Sequence, residues 1–229
     1  MKVLAFDTSC KSLSLAILDG EELLAEVTLN IKKNHSISLM PTIDFLMHSV
    51  DMQPSDLQRI VVAQGPGSYT GLRIAVATAK TLAYSLKIDL VGVSSLYALA
   101  APAKKSGLVV PIIDARRNNV YVGFYDNGRA VEPDRHLALT DVLESLKLQE
   151  KVTFVGEVES FRTQIEEHLP QVIVIQTLPS AYEIGKLGQT LPAVDVNAFV
   201  PNYLKRVEAE ENWLKDHNED SQADYVKRV

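Results

Sequence analysis

The chain has 229 residues, 46% of them hydrophobic, and carries 23 Lys and Arg against 29 Asp and Glu for a formal net charge of -6. That composition belongs to an ordinary globular protein with an ample core, and it disfavours one that grips a polyphosphate backbone alone, because phosphate contacts need clustered cations. The single cysteine, Cys10, excludes an internal disulfide. An acid at Asp7 interrupts any leader-like opening and no apolar run reaches the roughly 18 residues that span a bilayer, so the expectation is a cytoplasmic chain without membrane contact.

In chain order, KVLAFD is a short apolar strand running into Asp7-Thr8-Ser9. LSLAILDGEELLAEVTL is a hairpin turning at Asp19-Gly20, because Asp-Gly between apolar runs is a strong hairpin signal. HSISLMPTIDFLMHSV changes to helical period, with Leu39, Ile43, Leu46, Met47 and Val50 on one face and Pro41 within the first turns. RIVVAQG is a continuous apolar run of the buried type, Gly65 to Gly71 a loop, LRIAVATAKTLAYSLK a helix and DLVGVSS a strand, which argues parallel α/β pairing. APAKKSG, residues 101–107, reads as a linker. Beyond it, LVVPIIDARRNNVYVGFYDNGRAVE predicts three strands with a turn at Asp126-Asn127-Gly128. TDVLESLK is a short helix capped by Thr140, KVTFVGE a strand, SFRTQIEEHL a helix, VIVIQ a strand and SAYEIGKLGQTL a helix. Each half opens on an apolar strand ending in aspartate, Asp7 after VLAF and Asp114 after VVPII, then a hairpin and alternating helices and strands. That parallel points to an internal duplication.

The stretch AQGPGSYTGLRIAV is neither a P-loop nor a dinucleotide fingerprint, since no Gly-Lys-Ser/Thr follows and the glycine spacing differs. Gly65 and Gly67 suit a tight turn stiffened by Pro66, and Gly71 suits close helix packing; a turn of this kind can also hold an anion at the helix N-terminus. On the helix that follows, Leu72, Ala75, Val76, Ala79, Leu82, Ala83 and Leu86 form the core stripe. Its opposite face holds Ile74, Ala77, Thr78, Thr81, Tyr84 and Ser85, with no charge at the centre. On the first helix Ile37, Ser38, Pro41, Thr42 and Phe45 also lie away from the core stripe. Two adjacent helices with small uncharged outer faces predict a protein–protein interface. There is no HExxH, and His35 has Leu39 rather than a second histidine four residues on, so no metal pair is expected. Basic residues in YLKRVEAEENWLK are interleaved with acids, as on a solvated helix rather than an RNA-binding stripe.

AFDTS, HSISLMPTI, GPGSYTGLRIAVATAKTLA, DARRNNVY and PNYLKRVEAE, in that order from residue 1 to about 211, resemble the TsaB (YeaZ) family of bacterial tRNA threonylcarbamoyladenosine biosynthesis proteins. The resemblance implies an α/β actin-like (sugar kinase/Hsp70-like ATPase) fold of two related subdomains, 1–102 and 103–200. Residues 201–229 would form a C-terminal helix packing back on the first subdomain, with a mobile tail. It also implies a non-catalytic protein that forms a homodimer when alone and binds and activates the paralogue TsaD, which transfers threonylcarbamoyl to the tRNA adenosine next to the anticodon. TsaE would act within that complex, and tRNA would be met only through it.

Actin-like enzymes close two loops on a nucleotide, each needing close backbone approach and an aspartate that positions metal and water. Asp7, Thr8 and Ser9 retain the first loop's polar character. Asp114 remains in the second, but Ala115, Arg116 and Arg117 stand where glycine would be favoured, and FVGEVES offers only Gly156 where paired glycines would lie against adenine. The implied site at Asp7, Thr8, Ser9 and Asp114 is therefore degenerate, with no catalytic residue, no metal and no tightly bound cofactor; ATP or ADP would be held only weakly or within the complex. The alternative is an autonomous ATP-using phosphotransferase of the same fold. The metallopeptidase label attached to the superfamily lacks the paired histidines it would need.

Overall fold

The structure, a computed structural model, describes residues 1–31, 34–103 and 105–205. The first half runs Lys2–Asp7 (β1), Leu13–Asp19 (β2), Glu22–Leu29 (β3), His35–Ser49 (α1), Arg59–Gly65 (β4), Tyr69–Leu86 (α2), Asp89–Ser94 (β5) and Ser95–Ala100 (α3). The second runs Leu108–Asp114 (β6), Asn119–Asp126 (β7), Arg129–Ala138 (β8), Leu139–Ser145 (α4), Val152–Gly156 (β9), Arg162–His168 (α5), Ile173–Gln176 (β10) and Ala181–Thr190 (α6). The sheets read β3-β2-β1-β4-β5 and β8-β7-β6-β9-β10. In each, the first strand pairs antiparallel with its hairpin neighbour and parallel with the strand that follows a helix. The duplication expected from the two aspartates thus holds strand for strand.

Local chemistry accounts for most boundaries. The first hairpin turns on Gly20 at φ +59°, and the second on Asn127 and Gly128 at φ +48° and +74°, the left-handed pair that closes tight hairpins. Asn34 caps α1 through its side chain, Ser68 caps α2, and both helices bury most of their predicted stripes, with Val50, Leu82 and Leu86 half-buried at the core's edge. One expected cap is corrected. Thr140 lies inside α4, which starts one residue earlier behind Ala138, and the Asn118 carbonyl accepts from Leu139 N–H at 3.0 Å. The residue before β7 thus satisfies one of the backbone N–H groups at the helix start.

Helices α1 and α2 cover one face of the first sheet, packing on Leu4, Phe6, Leu15 and Ile17. The other face is covered by α6, whose Ala181 and Ile184 meet Val3, Ala5, Ala16 and Leu18. In exchange, Leu96, Leu99 and Ala100 of α3 pack on Val109, Ile113 and Val155 of the second sheet. Each half therefore sends its last helix across, and the two are tied by Thr177 Oγ1 to the Leu99 carbonyl and Ser180 N–H to the Ala98 carbonyl, both at 2.9 Å. The chain then returns to the first half: Phe199 enters its core and Asn202 N–H donates to the Gln64 carbonyl at 2.7 Å. Residues 201–205 are not helical; the remainder of the expected C-terminal helix and tail lies outside the described residues. Among the described residues no helix is long and apolar enough to cross a membrane.

Candidate functional site: a cleft and a helix face

The duplicated β1 and β6 both end in aspartate, and the loops that follow them meet at a cleft of about 840 Å3, with Ser9, Lys11 and His35 on one wall and Asp114, Arg116 and Glu157 on the other. Asp7 is fully buried, and its Oδ1 accepts from Ser9 N–H at 2.6 Å. Its Oδ2 and the Ser9 hydroxyl have no hydrogen-bond partner among the described residues. Burial pushes the Asp7 carboxyl up to about 6, against the opposing pull of its Ser9 bond and the nearby His35 charge. The Cys10 thiol is pushed up as well, by burial and by the negative charges of Asp7 and Glu157, so it stays protonated.

The glycine-rich loop is packed against this first loop. A Cβ on Gly71 would lie 2.0 Å from the Thr8 carbonyl oxygen, and one on Gly67 would lie 2.3 Å from that of Ser9. Ser68 N–H donates to the Ser9 carbonyl at 2.6 Å, and the Thr8 hydroxyl donates to the Gly71 carbonyl at 2.8 Å. Thr8, predicted as a phosphate-loop residue, is thus engaged with the first turn of α2. The two glycines do more than turn the chain, because they let two backbones touch.

The second loop departs from expectation in an informative way. Arg116, Arg117 and Asn118 take φ of +70°, +54° and +57° in succession, the left-handed region that usually calls for glycine. The glycine-like backbone survives without glycine. What sets this loop against phosphate is a carboxylate: Glu157 Oε2 accepts from Asp114 N–H at 3.0 Å, where an anionic ligand would want that donor. Asp114 is itself turned inward, its Oδ1 accepting from Arg116 N–H at 2.8 Å. Gly156, at φ +93°, is needed for close approach to β6, since a Cβ there would lie 2.5 Å from the Ile112 carbonyl oxygen. Among the described residues no group of three or more His, Cys, Asp or Glu is placed to hold a metal ion.

The helix face lies beside this cleft. Ile37 and Phe45 of α1 are 72% and 64% exposed, and Tyr84 of α2 is 70% exposed. Pro41, Ala77 and Thr81 are exposed with them, and the Thr81 hydroxyl donates to the Ala77 carbonyl at 2.9 Å, so it is occupied within its own helix. Ile74 and Thr78 are half-buried, and Ile74 packs against the core. Two contributors escaped the sequence reading. Met40 is exposed on α1. At the start of α2, Tyr69 stacks on Tyr203 with ring centroids 4.9 Å apart, and the Arg73 guanidinium sits 4.5 Å from the Tyr69 ring. The first was hidden because a methionine beside a core stripe reads as core. The second joins residues far apart in sequence.

Residues 22–213 match the family model for TsaD, tRNA N6-adenosine threonylcarbamoyltransferase. The tRNA threonylcarbamoyladenosine biosynthesis protein TsaB of Bacillus subtilis is 45% identical over 226 residues, 94% of this chain and 99% of that protein. The chain belongs to the TsaB family. The TsaB of Escherichia coli is 30% identical over 128 residues, 55% of each chain. YeaZ from Pseudomonas aeruginosa superposes with a TM-score of 0.77 at 27% identity, covering 89% of this chain and 99% of that one. A more distant likeness, at TM-score 0.51 and 14% identity, is to component A of the Acidaminococcus fermentans (R)-2-hydroxyglutaryl-CoA dehydratase, which covers 84% of this chain. That likeness concerns the fold alone, which is the actin-like one shared by the TsaB family.

Proposed function

We propose that this chain is the non-catalytic partner of TsaD, binding and activating it for threonylcarbamoyl transfer to the tRNA adenosine next to the anticodon. The observation that carries the reading is the pair of neighbouring helices whose large apolar side chains, Ile37, Phe45 and Tyr84, face solvent. Such a face on a soluble helix pair is a docking surface for another helix pair. Alone, the chain associates with a second copy; in the complex, TsaE joins and tRNA is met through the assembly. The setting is the cytoplasm, where tRNA is modified.

The cleft supports a non-catalytic role. Glu157 occupies the Asp114 amide, and the Thr8 hydroxyl is engaged with α2, so two groups that would meet phosphate are already partnered. Autonomous phosphotransfer would have to displace both, and nucleotide is held weakly or within the complex. A transfer assay with purified components tests the role. Threonylcarbamoyl-adenylate and tRNA should give modified tRNA when this chain and its cognate TsaD are both present and none with this chain alone. Transfer by this chain as sole protein, or transfer by TsaD that is unchanged when this chain is omitted, would end the proposal.

A further inference from the structure

Tyr69, Arg73, Lys80 and Tyr84, spaced four, seven and four residues apart, fall on one row of α2. Residues 195–203 run antiparallel along that row as a strap. Lys80 Nζ donates to the Asn197 and Phe199 carbonyls at 2.9 and 2.8 Å, and Tyr203 stacks on Tyr69 at the other end of the run. The strap is held from below as well. Phe199 is buried in the first core, Asn202 N–H donates to the Gln64 carbonyl at 2.7 Å, and a Cβ on Gly65 would lie 2.4 Å from the Asn202 carbonyl oxygen. Between these anchors Val200 is 66% exposed, and Tyr203 is exposed beside it. Apolar side chains held in water on a segment this firmly tied are ready for contact, because little ordering is left to be done on binding.

The charge of this surface is one-sided. Neither α2 nor residues 196–204 contain an acid, in a chain of net charge -6. The Lys80 ammonium is engaged with the two strap carbonyls, which explains how a helix with a lysine on this row keeps an uncharged outer face. Arg73 is exposed, with its guanidinium 4.5 Å from the Tyr69 ring.

We propose that the strap and this row of α2 are part of the partner surface, continuous with the α1–α2 face through Tyr84, and that they take an apolar segment of TsaD carrying a carboxylate, which pairs with Arg73. This rests on reading the α1–α2 face as the TsaD surface, which it widens from two ridges to three. A different chain fits here better than a second copy. Across a two-fold axis through this row the surface would meet itself, and it has no acid to offer Arg73.

The test is sedimentation of the full chain, alone and with cognate TsaD, at low and high salt, for wild type, Val200→Asp, Arg73→Glu and Thr81→Arg. All three positions are exposed, so thermal melts should be unchanged. Val200→Asp and Arg73→Glu should each weaken the TsaD complex by about tenfold or more. Salt should weaken the wild-type complex more than the Arg73→Glu complex. TsaD binding at wild-type strength in either variant overturns the proposal. So does self-association weakened as much as the TsaD complex, which would make a second copy the occupant. Thr81→Arg separates this from the wider reading. If it abolishes the complex while Val200→Asp and Arg73→Glu bind normally, the α1–α2 face stands and the strap falls. If Thr81→Arg binds normally as well, both fall.

Discussion

Asp7→Asn should make this protein more stable at neutral pH, and the gain should disappear in acid. Asp7 is fully buried and its carboxyl is raised from 3.8 to about 6. At about 1.4 kcal/mol for each pH unit, that difference corresponds to about 3 kcal/mol by which the folded state disfavours the ionised form. The sign follows from proton binding. Above pH 6 the carboxylate is charged in both states, and the folded state alone carries the desolvation penalty. As pH falls through 6 the folded protein takes up a proton that the unfolded chain does not yet hold, so wild type gains stability. By about pH 3.8 the unfolded chain is protonated too and the penalty is gone. Urea denaturation of wild type and Asp7→Asn should therefore differ most at pH 7.5 to 8, with the variant more stable by up to about 3 kcal/mol, and converge near pH 4. A variant less stable than wild type at pH 8 would refute the reasoning, as would a difference that grows on acidification; either would mean that Asp7 is stabilised in its charged form by a partner.

Other outcomes follow from the same contacts. Gly71→Ala places a Cβ 2.0 Å from the Thr8 carbonyl oxygen, with backbone on both sides, and should destabilise by about 1–3 kcal/mol in a chemical melt; an unchanged melt would mean the two loops are not in contact. ATP should bind the isolated chain with a dissociation constant of about millimolar or weaker by calorimetry. Glu157→Gln should tighten it by weakening the hold on the Asp114 amide and removing a negative charge, and equal affinity in the two proteins would show that this carboxylate does not guard the loop. A second tie joins the halves, with Ser94 Oγ of β5 donating to Asp134 Oδ2 of β8 at 2.5 Å and the Tyr125 hydroxyl to Asp134 Oδ1 at 3.4 Å, and Asp134→Ala removes that acceptor. It should cost about 1–3 kcal/mol at neutral pH, read as a lower denaturation midpoint.

Much of this was open to reading in the sequence, for identifiable physical reasons. Both hairpins announced themselves through Asp-Gly and Asp-Asn-Gly, because few residues take left-handed backbone. The stripes of α1 and α2 followed from helical period, and the same period left Ile37, Phe45 and Tyr84 on the outside, where the structure has them exposed. What stayed hidden depends on chain segments distant in sequence. α3 was given no element over residues 96–100, because SSLYALA is too short to show a helical period and its burial is against the other half. The role of the glycine loop was half visible: turn chemistry indicated Gly65 and Gly67, but contact with Thr8 and Ser9 is a tertiary fact. Likewise, the missing glycines after Asp114 suggested an altered backbone. The structure keeps the left-handed backbone with arginines and changes the electrostatics through Glu157, forty-three residues away.

The central claim is that the outer face of α1 and α2 binds the partner, and Thr81→Arg tests it most directly. Thr81 is exposed with its hydroxyl bonded inside its own helix, so the substitution should leave the fold intact to within about 0.5 kcal/mol. In an interface the arginine would be buried without a partner, at several kcal/mol, or roughly a hundredfold or more in affinity. Sedimentation of wild type and Thr81→Arg, each alone and mixed with cognate TsaD, should show the variant with its thermal melt unchanged but its self-association, its TsaD complex or both lost. If both associations persist at wild-type strength, the partner surface lies elsewhere on the molecule.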